Sequence, residues 1–565
     1  MMRKLQAPSS KHQRSSKLQA PNSAWDVHGI FGIWSLKFLW CLVLGIWSFL
    51  SSVSAAHPSK ILRLSIAEYQ DRIQGIWTAQ IAAVLMGFQF EHKVASTEWV
   101  DRYPKSYDCA PVDDDWYYEM CAIRGFEKYG IGMTIAQLGE QWKENSCGSW
   151  GSSEQARLLL ARGLKAPDTG HPRYNKLWFT IGPQFSADVY GALAPGRPNL
   201  AAKLARQFGH INGYAEAVDG AVFVAGMVSL GFVERDTREI VRNAARLIHP
   251  NSPYRKCLEM IISMAEAGKS AQDIADAIED RWHIEYPATN NAVPNGGLVA
   301  LGLWFGGGDF LQTVNIIYRS ADFTDADCNA ANAAAVIAAM HGMKCLPANL
   351  VEPLHDRIIG SETGGVKLTP PVDEKISYLA QRTAQIGLKL LAANGASVGP
   401  DHFSLPVEQP RTQAAELFAL SDLTKYWNPD WRLERAGFGG AGGGIGGIRG
   451  ITHLEGDVLA TWPRDTVRGV VLRRMVKLGR RPSLSFQVTA DSTRAWELEV
   501  YAGNKRMLRR LIEGGAENLN ARKWENVQID LAEVAGKELQ LRLYQRVLLP
   551  DHIPGNAYWK NLKIE

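Results

Sequence analysis

Residues 111–116 read Pro111-Val112-Asp113-Asp114-Asp115-Trp116, and the reading of this acidic triplet decides the fold. Three adjacent carboxylates repel one another, so folding them together costs energy unless positive charge offsets it. Hard cations such as Mg²⁺ and Ca²⁺ bind through carboxylate oxygens and supply that charge. Taken alone, the triplet is most simply a solvated loop, because charged side chains are mostly exposed. A second run, Asp325-Ala326-Asp327-Cys328-Asn329, changes the balance, since it too leads directly into a helical stretch. Two acidic runs that each abut a helix can meet at one metal site. Aspartate also caps helix N-termini well, and the two roles are compatible.

Outward from these runs, residues 61–427 carry a helical pattern. In the stretch that starts at Ser65, the small residues Thr78, Ala79, Ala82, Ala83 and Gly87 permit close helix packing, and Glu91 stands at its end. Residues 117–129 predict a helix directly after the triplet. Thr134 and Ser270 have the side chains expected at N-caps. Residues 174–195, with Trp178, Gly182, Gln184 and Asp188, read as a loop holding a short helix. Residues 201–208 are helical, and His210-Ile211-Asn212-Gly213 breaks that helix. Residues 215–232 form an apolar stretch with almost no internal charge, which predicts a buried helix. Amphipathic helices are expected over 236–248, 253–267 and 271–281, and further helices over 298–304, 310–318 and the alanine-rich 330–343. No strand–helix alternation appears, so this part reads as an all-α domain.

Residues 437–450 are dominated by glycine and have the composition of a flexible linker. Beyond them the period falls to two. Leu484, Phe486 and Val488 alternate with polar residues, as do Trp496, Leu498 and Val500, and then Leu539, Leu541 and Leu543. Short strands at this spacing predict an antiparallel β-sandwich.

The chain has 565 residues, with 21% charged and 46% hydrophobic, which suits a globular protein of two or three domains. Its formal net charge is +4, without a long basic run, which gives no reason to expect nucleic acid. The N-terminus reads as a targeting segment. Arg3, Lys4, Lys11, Arg14 and Lys17 precede an apolar run over 38–50, and Ser54 and Ala56 are small residues at the −3 and −1 positions of a cleavage site. The run is short for a membrane span; read from residue 30 through Lys37, an uncleaved anchor is the alternative. The expected organisation is a signal peptide over 1–56, a helical domain over 57–436, a glycine linker over 437–450 and a β-sandwich over 451–565. The mature protein is expected to be secreted or periplasmic, without a stable membrane span, and monomeric. Cys109, Cys121 and Cys147 are close enough in sequence to be disulfide candidates in an exported chain; buried free thiols are the alternative.

Over residues 71–347 the sequence resembles the ADP-ribosylglycohydrolase family. Asp71-Arg72-Ile73-Gln74-Gly75 is similar to the family's opening motif, and Glu91 matches the glutamate that follows it. Asp113-Asp114-Asp115 stands at the family's Thr-Asp-Asp, and Asp325-Ala326-Asp327-Cys328 at its second acidic motif. Residues 210–227 and 325–343 look like its middle and closing helices. The resemblance implies an all-α fold holding two Mg²⁺ ions, which position ADP-ribose and help to cleave the bond at C1″ of the distal ribose. It implies Asp114, Asp115, Asp325 and Asp327 as metal ligands, with Asp113 as a spare one, and Glu91, Asp115 and Asp325 in catalysis.

The sequence also departs from the family. Ala83-Val84 replaces a Gly-Asp pair, Asp113 replaces the threonine, and residues 182–188 stand in place of the glycine- and serine-rich phosphate loop. The expectation is therefore a Mg²⁺-dependent glycohydrolase acting on a ribosyl or related sugar, with a small molecule or glycan as substrate. Gln184, Asp188, His210 and Asn212 are its candidate substrate contacts. The alternative is a binding protein for a glycan or nucleotide-sugar on the same fold, with its catalysis degraded. The β-sandwich resembles galactose-binding-like jelly rolls, particularly in its ending over 558–564. Trp462, Trp524 and Tyr544 are candidate sugar platforms there, and core aromatics are the alternative.

Overall fold

Ser65 ends a strand and begins a helix: its hydroxyl accepts from Glu68 N at 3.0 Å, capping the helix Ile66–Gly87. In the computed structural model, which describes residues 60–320, 322–439, 450–515, 522–548 and 554–565, this helix is the axis of the first domain. The expected signal peptide over 1–56 and residues 440–449 of the glycine run lie outside the described residues. Small residues let the axis helix approach the helix Ala326–His341 at backbone distance. A Cβ at Gly75 would stand 2.8 Å from Gly342 C, and one at Gly87 2.9 Å from Asp327 Cα. The two helices therefore run antiparallel, and the end of the first meets the acidic start of the second. Arg72, itself buried, donates to Phe232 O at 3.1 Å and Ala339 O at 3.2 Å, tying the axis to its partner helix and to the end of Glu216–Gly231.

Around this pair lie Glu216–Gly231, buried along its whole length, and Ala292–Gly306, nearly so. An apolar helix with no polar face is a core helix, and each Val, Leu or Phe it buries contributes roughly 1.5–3 kcal/mol. The helix after the triplet spans Asp114–Tyr129. Thr134 and Gln137 form a reciprocal capping box at Ile135–Glu144, and Ser270 and Asp273 form another at Ala271–Ala277. The helical frame is as expected, but it carries two small sheets. Ile61–Ser65 pairs with His402–Pro406, which pairs with Ser397–Val398; Arg357–Thr363 and Val366–Lys375 form a hairpin.

The second domain is a pair of five-stranded antiparallel sheets. One has the order Glu525–Asp530, Ser483–Ala490, Ala557–Ile564, Val458–Thr461, His453–Glu455. The other has the order Lys505–Glu513, Ala495–Ala502, Glu538–Arg546, Val470–Lys477, Arg432–Glu434. Leu484, Phe486 and Val488 face Trp496, Leu498 and Val500 across one core, and Trp496 meets Trp559 with ring centroids 5.1 Å apart.

The expected boundary at the glycine run needs correction. Arg432–Glu434 precedes the run and already pairs with Val470–Lys477, and Trp431 and Leu433 lie in the sandwich core. The glycine run therefore interrupts the β-domain instead of separating two domains. A three-residue strand is too short to show a period of two, so only the structure reveals it. Trp462 is buried against Gly450 and is no sugar platform in this structure. Leu177, Trp178, Phe179, Ala215 and Ala288 of the helical domain pack with Ile451 of the sandwich. Cys109, Cys121, Cys147, Cys257, Cys328 and Cys345 are all free thiols. Among the described residues no single helix is long and apolar enough to cross a membrane.

Candidate active site

Asp113 stands outside the first turn of Asp114–Tyr129 in an extended conformation, and its Oδ1 accepts from Asp115 N at 3.2 Å. Capping fixes where the next two carboxylates point. Asp114 lies half-buried on the wall of a cavity of about 360 Å³, and Asp115 is buried in its floor. From across the cavity, Cys328 Sγ donates to Asp115 Oδ1 at 3.0 Å. Asp325 takes the N-cap position of Ala326–His341 without capping it. Instead its Oδ2 accepts from Asn290 Nδ2 at 2.6 Å, and its backbone N donates to Asn295 Oδ1 at 3.0 Å. Asp327 follows in the first turn, and Glu91 enters from the end of the axis helix.

The ligand atoms fall into two groups: those of Glu91, His92 and Asp325 lie within 4.8 Å of one another, as do those of Asp115, Asp327 and Cys328. Asp115 Oδ2, Asp325 Oδ1 and Asp327 Oδ1 are buried without a hydrogen-bond partner among the described residues. A buried carboxylate oxygen left unpaired is expensive, and among the described residues no lysine or arginine lines the cavity. Burial, then repulsion among the carboxylates, holds Asp114 and Asp115 well above the usual range. Burial and the charges of Glu91 and Asp325 do the same for Asp327. Burial and Asp325 push Glu91 up to about 7. Burial also pushes Asp325 upward, but the adjacent His92 outweighs it and holds that carboxyl below its usual range. A cluster that is short of positive charge and has unpaired oxygens suits divalent cations.

All six expected acidic residues, Glu91, Asp113, Asp114, Asp115, Asp325 and Asp327, therefore line one cavity. Asp113 and Asp114 belong to neither ligand group, and Asp113 is engaged as a cap.

The four expected substrate contacts do not line the cavity. Gln184 is fully buried and accepts from Tyr254 Oη at 2.9 Å. Asp188 is fully buried against Asn332 Nδ2 at 3.2 Å. Asn212 donates to Ser153 Oγ at 2.9 Å inside the core. His210 Nε2 lies 2.8 Å from Glu416 Oε2, on a separate cavity with Asp168 and Tyr214. Each of these residues has a hydrogen-bond partner within the protein, the ordinary condition for burying a polar side chain, although Gln184 Nε2 has none among the described residues.

Several wall residues escaped the sequence reading. His92 follows Glu91 directly, and the glycine- and serine-rich residues 148–153 were a visible signal for the wall formed by Trp150 and Gly151. Asn290 and the hairpin residues Glu362, Thr363 and Gly364 reach the cavity through tertiary folding, and nothing local marked them.

Residues 65–385 match the family described as ADP-ribosylglycohydrolase. Among solved structures, one described as an ADP-ribosylglycohydrolase-related protein complex is 15% identical, with 58% of this chain and 100% of that chain covered at a TM-score of 0.40. A structure described as "CBM4 structure and function" is 10% identical, with 24% of this chain and 88% of that chain covered at a TM-score of 0.17. The secreted serine protease VesC from Vibrio cholerae is 12% identical, with 29% of this chain and 36% of that chain covered at a TM-score of 0.17. No curated protein matches the chain.

Proposed function

The chain belongs to the ADP-ribosylglycohydrolase family, whose pattern spans residues 65–385, and from that premise we propose a metal-dependent glycohydrolase that hydrolyses an N- or O-glycosidic bond to a ribosyl or related sugar. The observation that carries this reading is the convergence of Glu91, Asp115, Asp325 and Asp327 on one cavity, with three buried carboxylate oxygens unpaired. Glu91 and Asp325 would hold one cation and Asp115 and Asp327 a second, and their oxygen donors suit Mg²⁺. Bound cations of this kind orient a water and polarise sugar hydroxyls.

The protein's own groups account for the rest. In the cation-free site burial and Asp325 push the Glu91 carboxyl up to about 7, so taking up a cation there would displace its proton. Glu91 is therefore assigned to hold the cation, in the ionised form that a ligand requires. Asp115 and Asp325 place negative charge beside the sugar ring, where an oxocarbenium-like transition state develops positive charge. Phe88, Trp150 and Phe185 give the cavity apolar faces on which a ring can rest.

The test is hydrolysis of ADP-ribosyl, nucleoside and glycoside substrates with Mg²⁺ and with chelator. Asp115→Asn and Asp327→Asn should each lower turnover at least about a hundredfold if these groups act in the transition state. Full turnover in both variants would overturn the assignment. Residence outside the cytoplasm is proposed from the N-terminal leader, and sequencing the N-terminus of the exported protein tests it.

A further inference from the structure

His92 sits on a backbone conformation that is uncommon for any residue but glycine, though histidine adopts it more readily than most. Its φ is +53°, in the left-handed region. Such strain persists only where the surroundings enforce it, and it concentrates at functional sites. The enforcing contacts are two backbone hydrogen bonds. His92 N donates to Thr324 O at 2.8 Å, and Phe323 N donates to Lys93 O at 2.7 Å. Phe323 is itself at φ +50°. The loop after the axis helix is thereby stitched to the loop before Asp325.

The stitch carries the imidazole into the acidic cluster. Nε2 lies 3.6 Å from Asp325 Oδ2 and Nδ1 3.9 Å from Glu91 Oε1. The side chain is 8% exposed, and neither ring nitrogen has a hydrogen-bond partner among the described residues. Those distances are too long for hydrogen bonds. The separation of Nε2 from Asp325 fits two donors on one ion, since ligands about 2.1 Å from a shared metal stand roughly 3–4 Å apart, and a single His92 nitrogen lies within 4.8 Å of ligand oxygens of both Glu91 and Asp325.

We propose that His92 is a nitrogen ligand of the cation held by Glu91 and Asp325, and that this position therefore binds a transition-series ion that accepts nitrogen, such as Mn²⁺, more tightly than Mg²⁺. The proposal rests on the metal-dependent reading given above and adds a donor to it. Mg²⁺ is hard and retains oxygen ligands and waters. Imidazole nitrogen suits transition ions, whose affinity for a nitrogen-containing site exceeds that of hard cations. The strained loop delivers a nitrogen where an all-carboxylate site would need none.

The experiment uses the full chain, stripped with chelator and titrated with Mn²⁺ alone or Mg²⁺ alone by calorimetry. Electron spin-echo spectroscopy of the bound Mn²⁺ reads coupled nitrogen directly. Wild type should bind Mn²⁺ at least about tenfold more tightly than Mg²⁺ and show imidazole nitrogen coupling. His92→Ala should abolish the nitrogen signal and weaken Mn²⁺ at least about tenfold, leaving Mg²⁺ within about threefold. His92→Asn, a residue that tolerates the left-handed region, should give the same result in a chain whose fold is secure. Nitrogen coupling that is absent from wild type, or that survives both His92 variants, overturns the assignment. Asp325→Asn separates the two readings. If it weakens both ions while the His92 variants leave Mn²⁺ selectivity intact, only the His92 proposal fails. If Asp325→Asn and Asp327→Asn change neither affinity, the metal centre itself fails, and the His92 proposal with it.

Discussion

Cys328 Sγ donates to Asp115 Oδ1 across 3.0 Å, joining acidic clusters 213 residues apart in the sequence. Asp115 is 2% exposed and Cys328 9% exposed, so the bond is largely shielded from bulk water. Without the thiol, Asp115 Oδ1 joins the already unpaired Oδ2. In chelator, Cys328→Ala should therefore lose about 1–3 kcal/mol, the cost of an orphaned buried acceptor. Cys328→Ser keeps a hydroxyl donor and should lose less. Urea denaturation of both variants checks the order, and equal losses would show that the hydrogen bond is not what matters.

The same cluster should make the metal-free protein less stable than its sequence allows. Asp327 Oδ1 is buried and unpaired, and Glu91, Asp325 and Asp115 all repel its charge. Asp327→Asn removes that charge with little change of shape. Its melting temperature in chelator should exceed that of wild type. Wild type should gain about 2.7 kcal/mol per site from a divalent ion at a hundred times its dissociation constant, whereas the variant should gain less, keeping only the position of Glu91 and Asp325 intact. Thermal melts with and without Mg²⁺ or Mn²⁺ decide this. A variant less stable than wild type in chelator would contradict it.

The acidic runs were legible because both lie in the first turn of a helix, where sequence and local structure coincide. Capping at Thr134 and Ser270 was legible for the same reason. Gln184 and Asp188 misled because a polar residue in a loop looks the same whether it faces solvent, ligand or core. Their partners, Tyr254 and Asn332, come from distant helices. His92 was hidden differently: its meaning lies in a positive φ and two backbone bonds to another loop. The strand Arg432–Glu434 lacked the length to announce itself.

Packing and chemistry meet at Gly87. A Cβ there would stand 2.7 Å from Tyr318 Cε1 and 2.9 Å from Asp327 Cα. Backbone cannot swing aside as a side-chain tip can, so Gly87→Ala must shift the start of Ala326–His341. Overpacking of this kind costs about 1–3 kcal/mol. It should also displace Asp327 and weaken divalent-ion binding by more than the stability loss alone implies. Gly132→Ala, with open space around its Cβ, is the control. Calorimetric titration of both variants checks it; unchanged affinity in Gly87→Ala would refute the coupling.

Glu216 gives a pH prediction far from the metal cluster. Burial, helped by Asp219, pushes its carboxyl from 4.5 up to about 8. The folded chain thus keeps a proton that the unfolded chain has released. The contribution to stability is fully present below the unfolded value and is lost as pH rises through about 8. Glu216→Gln is permanently neutral. It should match wild type near pH 4.5 and become more stable than it, on the order of a few kcal/mol, by pH 8. Urea denaturation at the two pH values reads the difference, and a gap independent of pH would reject the linkage.

His210 separates structure from catalysis. Its Nε2 lies 2.8 Å from Glu416 Oε2, while Glu416 Oε1 accepts from Ala215 N at 2.7 Å. Ala215 precedes the buried helix Glu216–Gly231 and sits at φ +46°. The pair therefore pins the strained entry of a core helix to the segment that runs on toward the sandwich. Burial pushes Glu416 up, but the bond and charge of His210 outweigh it and hold the carboxyl below its usual range. His210→Ala should leave KM and divalent-ion affinity unchanged and lower stability by about 1–3 kcal/mol, because a half-buried carboxylate loses its partner. Since His210 stands at a helix break in the sequence, a substrate contact was the natural expectation. A raised KM with unchanged stability would restore that expectation and place this separate cavity on the substrate path.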